Sequence, residues 1–250
     1  MRRFRDYDPF AWLYTKYWGD EYHTQVMPVL DRLVLQYLPP QAAVLDLCCG
    51  DGRIAAQLVR RKYRVTGIDG SEQMLSYARQ RTSRAEFLLG DARTFKLPLR
   101  FHAAISTFDS LNHVMEADEL ESVFRNVYAV LQEGGSFVFD LNDEEAFREL
   151  WARTSTGVTR EAVSIAQGDY NPHTGIAVCD ITLFRLERNQ WNRCDFRLSQ
   201  KHHPRDKVID SLQRAGFEAQ AFGAGQLGMQ GDIGRGRTFF LGTKNRAHSP

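Results

Sequence analysis

Apolar residues switch repeatedly between two spacings over residues 43–142, and this alternation predicts strands that take turns with helices. Short apolar runs of strand type lie at Ala43–Cys48, Tyr63–Asp69, Ala85–Leu89, His102–Phe108 and Ser136–Leu141. The spacing typical of helices covers Arg53–Arg61, Ser71–Arg81 and Ala117–Leu131. Ser71 is the expected N-cap of the second helix. Because this order gives right-handed crossovers, we predict a parallel sheet.

The chain on either side of this core follows other patterns. Residues 1–40 are rich in aromatics, and the apolar stripe of Thr24–Leu38 has helical spacing up to Pro39-Pro40, which predicts a helical cap. After the core, helical spacing returns at Pro204–Ala215. Two last strands, antiparallel to each other, and a polar tail are then expected, the strands at Phe217–Phe222 and Arg237–Thr243.

Residues 152–203 interrupt the α/β pattern with period-two alternation, in which Cys194, Phe196 and Leu198 share a face. Turns are expected at Gly168–Pro172 and Glu187–Gln190. We predict an inserted antiparallel sheet of about three strands. The insert is expected to act as a lid or as an oligomerisation element, which leaves a homodimer open. The whole chain is then a single α/β domain over residues 1–250, a doubly wound sheet that is mostly parallel with an antiparallel last strand.

Composition is that of an ordinary soluble globular domain. The chain has 250 residues, 43% of them hydrophobic and 25% charged, and a formal net charge of +1. This charge offers no broad surface for nucleic acid or an anionic membrane, and no run approaches the ~18 apolar residues of a membrane helix. The N-terminus lacks the apolar segment of a secretory signal. The four cysteines lack metal-ligand spacing, so we expect no metal, reduced thiols and a cytoplasmic location.

One decapeptide, Val44–Arg53, joins a strand to a helix through a Gly-x-Gly turn at Gly50 and Gly52. Glycines let the backbone turn sharply and approach a ligand closely, and the first N–H groups of the helix point toward that ligand. Taken alone, the turn would serve any nucleotide, or it would be an ordinary connection.

Acidic residues also collect where the predicted strands end. Asp46, Asp69, Asp91 and Asp109 follow or close successive strands, and Asp140 lies on the fifth. Ligands of parallel sheets bind at the carboxyl ends of the strands. A series of carboxylates at that edge is what a polar ligand across the sheet requires.

These segments resemble the class I S-adenosylmethionine-dependent methyltransferases, which have a Rossmann-like fold. The similarity covers roughly residues 7–243, and its motifs occur in the family's order: Val44–Gly52, Gly67–Ser71 with Met74, Gly90–Ala92 and Leu131–Gly135. The segments Tyr7–Tyr14 and Phe108–His113 are similar to the branch of amino-sugar N-methyltransferases and other small-molecule methyltransferases. Tyr14-Thr15 matches only part of that branch's Tyr-Asp pair.

The resemblance implies a role for each residue toward S-adenosylmethionine. Asp69 would accept hydrogen bonds from both ribose hydroxyls, and Asp91 would accept one from the adenine amino group. Asp46 would act near the ammonium of the amino-acid tail, directly or through water. Backbone groups would meet the tail at the glycine turn and the adenine ring at Ala92. The other residues implied in cofactor binding are Gly50, Gly52, Gly70, Met74, Thr107 and Phe108, with Cys48 and Cys49 as packing and backbone residues. Apart from the resemblance, Tyr14 and Tyr17 are candidates either to cover the methyl group or to contact the acceptor, since aromatic rings suit a sulfonium through cation–π attraction.

Methyl transfer to an amine or hydroxyl needs alignment with the C–S bond and a group that takes a proton. His113 is the candidate base and Tyr14 the candidate residue at the transferred methyl group; an ordinary surface position for His113 stays open. The acceptor is expected to be a small molecule, with methylation on nitrogen or oxygen.

Two other functions stay open. Gly50-x-Gly52-x-x-Ala55 with Asp69 also fits the fingerprint of a NAD-dependent oxidoreductase, although Asp46 and Asp91 have no role in one. A methyltransferase acting on tRNA or protein is the second alternative, and the near-neutral charge argues against nucleic acid.

Overall fold

The five predicted core strands are present in the computed structural model, which describes residues 7–97 and 101–245. Two helices come first, Asp8–Tyr17 (α1) and Asp20–Leu33 (α2). The core strands are Ala43–Leu47 (β1), Arg64–Asp69 (β2), Glu86–Leu89 (β3), Phe101–Ser106 (β4) and Leu131–Asn142 (β5). The helices between them are Arg53–Arg60 (α3), Glu72–Arg81 (α4) and Ala117–Val130 (α5). Residues 1–6 of the expected cap and the end of the expected polar tail lie outside the described residues.

The second half of the chain adds the insert and the last strands. A short helix, Glu144–Ala146 (α6), is followed by a π-helical turn at Phe147–Trp151. The inserted strands are Thr154–Val158 (β6), Ala162–Asn171 (β7), Ile176–Glu187 (β8) and Gln190–Lys201 (β9). The chain ends with Arg205–Arg214 (α7), Phe217–Gly223 (β10), Gly231–Gly234 (α8) and Arg237–Lys244 (β11).

Local sequence signals account for where several elements begin. The side-chain oxygen of Ser71 accepts a hydrogen bond from the backbone N–H of Met74 at 3.2 Å, so the predicted N-cap of α4 is confirmed.

In β1, Val44, Leu45 and Leu47 are fully buried. Continuous burial of this kind is expected for a parallel strand that is covered by helices on both faces of the sheet.

The seven-stranded sheet has the order β10–β11–β5–β4–β1–β2–β3. β1 lies parallel between β2 and β4, with Asp46 level with Gly67 and Ile105. Since parallel strands end at the same edge, the segments that follow β1, β2, β3 and β4 meet there. β11 is antiparallel to both β5 and β10. The predicted doubly wound α/β fold, mostly parallel with an antiparallel last strand, is confirmed.

The inserted sheet has four strands in the order β6–β7–β8–β9, one more than the sequence predicted. β6 was missed because its residues, Thr-Ser-Thr-Gly-Val, are all exposed and carry no apolar alternation. The turn predicted at Gly168–Pro172 lies later in the chain, since β7 runs through Gly168 to Asn171 and the turn to β8 occupies residues 172–175. A Cβ on Gly168 would lie 1.6 Å from the carbonyl oxygen of Trp151. This glycine therefore allows two backbones to approach closely and does not make a turn.

The second predicted turn of the insert, at Glu187–Gln190, is present between β8 and β9. Its two central residues, Arg188 and Asn189, have φ angles of +50° and +65°. Positive φ at both positions is what a tight two-residue hairpin requires.

α1 lies between the insert and the carboxyl edge of the main sheet. Phe10 and Leu13 are buried against Ile181 and Leu198 on the inner face of the insert. At its start, Asp8 accepts a hydrogen bond from the Ser71 hydroxyl at 2.5 Å, which fixes α1 to the start of α4. α1 therefore forms a roof over the strand ends.

The second cap helix differs from its prediction. α2 begins at Asp20 and ends at Leu33, because Val34 leaves the helical region at φ −146°. A 3₁₀ turn, Leu35–Tyr37, follows before Pro39-Pro40. Of the helices in the described ranges, none combines the length and hydropathy needed to cross a bilayer.

Candidate active site

The two glycines of the turn after β1 have different surroundings. Gly50 and Gly52 have φ angles of +52° and +75°, which L side chains rarely adopt. A Cβ on Gly52 would lie 2.9 Å from the Cβ of Ala78, so this glycine lets α3 and α4 pack together. A Cβ on Gly50 would meet nothing within 4 Å. Gly50 therefore leaves open space where a ligand can approach the backbone.

The residue between these glycines ties the turn to its surroundings. Asp51 is 1% exposed and accepts hydrogen bonds from Arg53 Nε at 3.0 Å and from Arg81 Nη2 at 2.7 Å. Arg53 also donates to the carbonyl oxygen of Thr15 at 2.6 Å and pairs with Asp20. The glycine turn is thus linked through Arg53 to the end of α1 and the start of α2.

A cavity of about 380 Å³ lies above the carboxyl edge of the sheet, beneath α1 and beside β9. Gly52 and Tyr17 are the predicted site residues that do not line it. The hydroxyl of Tyr17 points to the surface, 3.2 Å from the carboxylate of exposed Glu161. The predicted residues that line the cavity are Tyr14, Asp46, Cys48, Cys49, Gly50, Asp69, Gly70, Met74, Asp91, Ala92, Thr107, Phe108 and His113.

Asp69, at the end of β2, bridges the glycine turn and the start of α4. Its carboxylate accepts hydrogen bonds from the backbone N–H groups of Gly50 at 2.8 Å and Ser71 at 2.9 Å. Burial raises the pKa of Asp69 to about 6, although these N–H groups act in the opposite direction. A carboxylate has about four lone pairs, so acceptor capacity remains for a ligand.

Asp46, in β1, is a deeply buried acid of the cavity wall, at 2% exposed. Its Oδ2 atom has no hydrogen-bond partner among the described residues. Burial raises the pKa of Asp46 to about 7; a hydrogen bond from the Ala55 backbone lowers it, and Asp69 and Asp51 raise it further. An unpartnered buried carboxylate oxygen is suited to accept a hydrogen bond from a cationic group of a ligand.

Asp91, after β3, is held by a residue that the sequence analysis did not single out. Arg93 donates from Nε to Asp91 Oδ1 at 3.0 Å and from Nη2 to Oδ2 at 2.7 Å, and it also contacts Glu119. Burial favours a higher pKa for Asp91, but the hydrogen bonds and charge of Arg93 outweigh it and the pKa lies below its usual value. Arg93 therefore keeps Asp91 ionised and fixes its orientation at the cavity wall.

The segment after β4 has an unusual backbone. Phe108 and Asp109 have φ angles of +62° and +49°, a conformation that costs a non-glycine residue about 1–2 kcal/mol. Their backbone N–H groups donate to the two carboxylate oxygens of Asp140 at 2.8 Å and 3.1 Å. Asp140 also accepts from Tyr22 at 2.8 Å and pairs with buried Arg237, which contacts Asp109 at 2.8 Å. This network holds the strained segment against the cavity.

His113 lies in the wall of the cavity and not on the open surface. Its Nδ1 atom is 2.8 Å from the carbonyl oxygen of Ser199, and its Nε2 atom is 2.5 Å from the Tyr7 hydroxyl and 3.0 Å from the Gln200 amide nitrogen. Burial lowers the pKa of His113, while Asp109 and the Ser199 carbonyl raise it in part. The ring is therefore neutral near pH 7, with Nε2 able to accept a proton.

The three tyrosines of α1 and its N-cap are distributed along the roof. Tyr7 and Tyr14, seven residues apart, share one face and both line the cavity. The hydroxyl of Tyr14 is 3.4 Å from Nε2 of His23, on the side of the glycine turn, whereas Tyr7 meets His113. Burial raises the pKa of both tyrosines, so both hydroxyls keep their protons near pH 7.

The adjacent cysteines contribute bulk and backbone to the cavity. Cys48 and Cys49 are free thiols, and burial raises the pKa of each. A thiol that stays protonated is a poor nucleophile. A Cβ on Gly67 of β2 would lie 2.8 Å from Sγ of Cys49, so this side chain fills the space between the strands.

Several residues of the site were not predicted, among them Tyr7, Arg93 and Gln200. For Gln200 a signal existed, because it continues the apolar positions Phe196 and Leu198 of β9 and is only 1% exposed. A polar residue at an apolar position of an alternating strand indicates a buried hydrogen bond. Tyr7 and Arg93 have no comparable signal, since aromatic and basic residues are common in caps and loops.

Comparison with known proteins gives the geometry a context. Residues 44–135 match the family model of a methyltransferase domain. YqeM of Bacillus subtilis is 27% identical over 214 residues, which are 84% of this chain and 87% of YqeM. A dTDP-3-amino-3,4,6-trideoxy-alpha-D-glucopyranose N,N-dimethyltransferase of Streptomyces venezuelae is 28% identical over 160 residues, 64% of this chain and 67% of that protein. A structure titled as a S-adenosylmethionine-dependent methyltransferase from Clostridium acetobutylicum shares the fold, with a TM-score of 0.78 and 17% identity, over 96% of this chain and 99% of that one.

Proposed function

Because the chain belongs to the class I S-adenosylmethionine-dependent methyltransferase family, we propose that it moves the methyl group of S-adenosylmethionine to a nitrogen or oxygen atom of a small-molecule acceptor. The observation that carries the proposal is the content of one cavity. The glycine turn and the carboxylates of Asp46, Asp69 and Asp91 share it with His113, whose Nε2 atom accepts hydrogen bonds. One end of the cavity suits a nucleoside with a cationic tail, and the other suits proton removal.

The residues present fit the cofactor. Gly50 leaves open space beside its backbone, and Asp46 Oδ2 is buried without a partner among the described residues. A cationic ammonium group at that oxygen would satisfy it, and the attraction is stronger at a buried oxygen than in bulk water. S-adenosylmethionine supplies a methyl group on a sulfonium, a leaving group that needs no protonation.

The remaining contacts follow from the acceptors and donors that line the cavity. Asp69 has acceptor capacity left for the ribose hydroxyls, and Asp91 is ionised and oriented for the adenine amino group. Met74, 3% exposed, offers a flexible apolar surface to adenine. The backbone of Thr107 and Phe108 is held in place for the ammonium by Asp140. Gly52 and Tyr17 have no direct contact in this proposal.

Tyr7 and His113 form the proton-accepting pair of the proposed site. An acceptor nitrogen or hydroxyl near the Tyr7 oxygen passes its proton to that oxygen as Tyr7 gives its own to His113 Nε2. Tyr14, at the other end of the roof, lies over the part of the cavity next to the glycine turn. Closure by α1 and β9 keeps water from the reacting groups.

The acceptor class is best described as a small polar molecule, with an amino sugar as the first candidate. A cavity of about 380 Å³ is in the range of small-molecule sites, and α1 and β9 cover it. The Streptomyces venezuelae relative, by its name, methylates an amino sugar. A tRNA or protein acceptor is disfavoured because α1 and β9 cover the cavity and leave little access for a macromolecule. The net charge of only +1 also argues against tRNA.

Two measurements test the proposal. Isothermal titration is expected to give micromolar binding of S-adenosylmethionine and none of NAD; binding of NAD alone contradicts it. A transfer screen with methyl-labelled cofactor then compares amino sugars, amino acids, phenols and tRNA. Label on an amino sugar or another small molecule supports the assignment, and label on tRNA alone overturns the acceptor class.

The ribose assignment makes a separate prediction for Asp69→Ala. Loss of two hydrogen bonds to a charged acceptor costs about 1.5–3 kcal/mol each, so cofactor affinity should fall roughly 100-fold or more. The control is Glu72→Ala, which removes a neighbouring exposed carboxylate that pairs with Arg79. Unchanged affinity in Asp69→Ala, with Glu72→Ala also unchanged, would refute the assignment.

A further inference from the structure

The surroundings of His113 determine which of its ring nitrogens carries hydrogen. Nδ1 lies 2.8 Å from the carbonyl oxygen of Ser199. A carbonyl only accepts hydrogen bonds, so Nδ1 must be the protonated nitrogen. In the neutral ring, Nε2 then presents its lone pair to two donors, the hydroxyl of Tyr7 at 2.5 Å and the amide of Gln200 at 3.0 Å.

The orientation of the Gln200 amide is itself fixed. Its Nε2 atom donates to Asp109 Oδ2 at 2.6 Å, and Arg237 holds Asp109 from the other side at 2.8 Å. If the amide rotated by half a turn, Oε1 would face the Asp109 carboxylate, and two acceptors would repel each other. Gln200 is 1% exposed, and its Oε1 has no hydrogen-bond partner among the described residues. The two N–H hydrogen bonds offset that cost.

We propose that Gln200 is a positioning residue that keeps Nε2 of His113 free of a proton, so that the ring can accept one in the proposed methyl transfer, the function on which this inference rests. The fixed N–H group of Gln200 points at Nε2. If Nε2 were protonated, two donors would face each other at 3.0 Å. The neutral ring is therefore favoured by the hydrogen bond as well as by burial.

The charged groups around the ring do not reverse this preference. Asp109 favours a proton on His113, but Arg237 neutralises Asp109 and is itself shared with Asp140. On β9, Arg197 borders the same cavity, and its guanidinium is paired with Asp180 on the outer face of the insert. Among the described residues, the hydroxyl of Tyr7 is a further titratable neighbour, and it can turn to donate or accept.

The insert therefore positions His113 in addition to covering the cavity. Ser199 and Gln200 are consecutive residues of β9, and together they contact both ring nitrogens of His113. Next to them, the carbonyl oxygen of Lys201 accepts a hydrogen bond from Asn112 at 2.9 Å. The last strand of the insert therefore fixes the position and the protonation of a residue that belongs to the main sheet's loop.

The test measures the pKa and tautomer of His113 directly, by NMR of ¹⁵N-labelled histidine in the full chain, with His113→Gln identifying the signal. Gln200→Glu replaces the donor by an acceptor of the same shape and should raise the pKa of His113 by more than about one unit. Gln200→Met removes the donor and should raise the pKa by a smaller amount. The matched control, Gln190→Met at the exposed start of the same strand, should leave the pKa unchanged.

The acidic limb of the pH–rate profile should move to higher pH together with the measured pKa, which a purely structural role of Gln200 would not produce. If the Glu variant does not fold, the Met variant decides. A pKa that stays within about 0.3 units of wild type in the folded variant, or a ring protonated on Nε2, overturns the proposal. The NMR titration needs no methyl transfer, so a raised pKa without any transferase activity would contradict the proposed function and leave the role of Gln200 supported.

Discussion

At the scale of single residues, two carboxylates of the cavity wall lie where their charged form is disfavoured. Asp46 is 2% exposed and Asp69 is half-buried, and desolvation raises the pKa of both, to about 7 and about 6. A protein selected only for stability would not bury a carboxylate whose oxygen has no partner. Such a group is expected where a ligand supplies the missing partner.

Asp46→Asn should therefore make the ligand-free protein more stable at alkaline pH. The pKa of Asp46 is about 7 in the folded protein and about 3.9 when unfolded, so ionisation opposes folding as the pH rises through that window. The stability advantage of the Asn variant should be larger at pH 8 than at pH 5 by about 2–3 kcal/mol. Urea unfolding at both pH values measures it.

The control for this prediction is Asp206→Asn, an exposed acid of α7 far from the cavity. Its effect should be small at both pH values. A wild-type protein that is at least as stable as Asp46→Asn at pH 8 would show that the buried carboxylate has a partner or a lower pKa than expected.

At the scale of elements, α1 connects the parts of the molecule that form the cavity. It contacts α4 through Asp8 and Ser71, the insert through Phe10 and Leu13, and the glycine turn through Arg53, which bonds the Thr15 carbonyl oxygen at 2.6 Å. The guanidinium of Arg53 is 12% exposed, so these contacts are well shielded from solvent. The position of the roof thus depends on the same turn that would bind the cofactor.

Arg53→Ala should loosen α1 without unfolding the sheet. Asp51 keeps its hydrogen bond to Arg81, but the Thr15 carbonyl and Asp20 lose their partner. Hydrogen exchange of residues 8–17 should become about tenfold faster, since a lost charge-assisted contact costs about 1.5 kcal/mol or more. Arg60→Ala, an exposed residue of the same helix, is the matched control. Unchanged exchange in folded Arg53→Ala would mean that the other contacts of α1 suffice.

At the scale of the whole molecule, the cavity lies between the main sheet, α1 and the insert, whose apolar residues form separate clusters. Two apolar clusters cover the two faces of the main sheet, and a third, smaller one joins the insert to α1. The third cluster has the fewest buried residues. A ligand in the cavity would contact the sheet edge, α1 and β9 together, so its binding energy would add to the stability of the weakest junction.

Cofactor binding should therefore raise the thermal midpoint of the protein. At a free concentration of 100 times Kd, S-adenosylmethionine should add about 2.7 kcal/mol, which corresponds to roughly 5–10 °C for a chain of this size. NAD at the same concentration should give no shift. Asp69→Ala should lose most of the shift at that cofactor concentration. A shift with NAD, or none with millimolar S-adenosylmethionine, contradicts the prediction.

The sequence was least informative about pairings across long distances along the chain. It showed no apolar alternation in β6, and it indicated a turn at Gly168 where the glycine serves a close contact with Trp151. It also placed Tyr17 with Tyr14, although residues three apart on one helix reach different surroundings. In each case the structure depends on contacts with residues outside the segment whose spacing gave the prediction.

What the sequence determined by itself is the order of strands and helices within residues 43–142, the glycine turn and the carboxylates at the strand ends. These follow from spacing within short segments and from the rule that parallel strands end at one edge. Only the tertiary structure decided which side chains meet. Gln200 reaches Asp109 across 91 residues and Arg237 reaches it across 128. Such contacts depend on how the insert and the last strand pack on the sheet, and no local pattern encodes that packing.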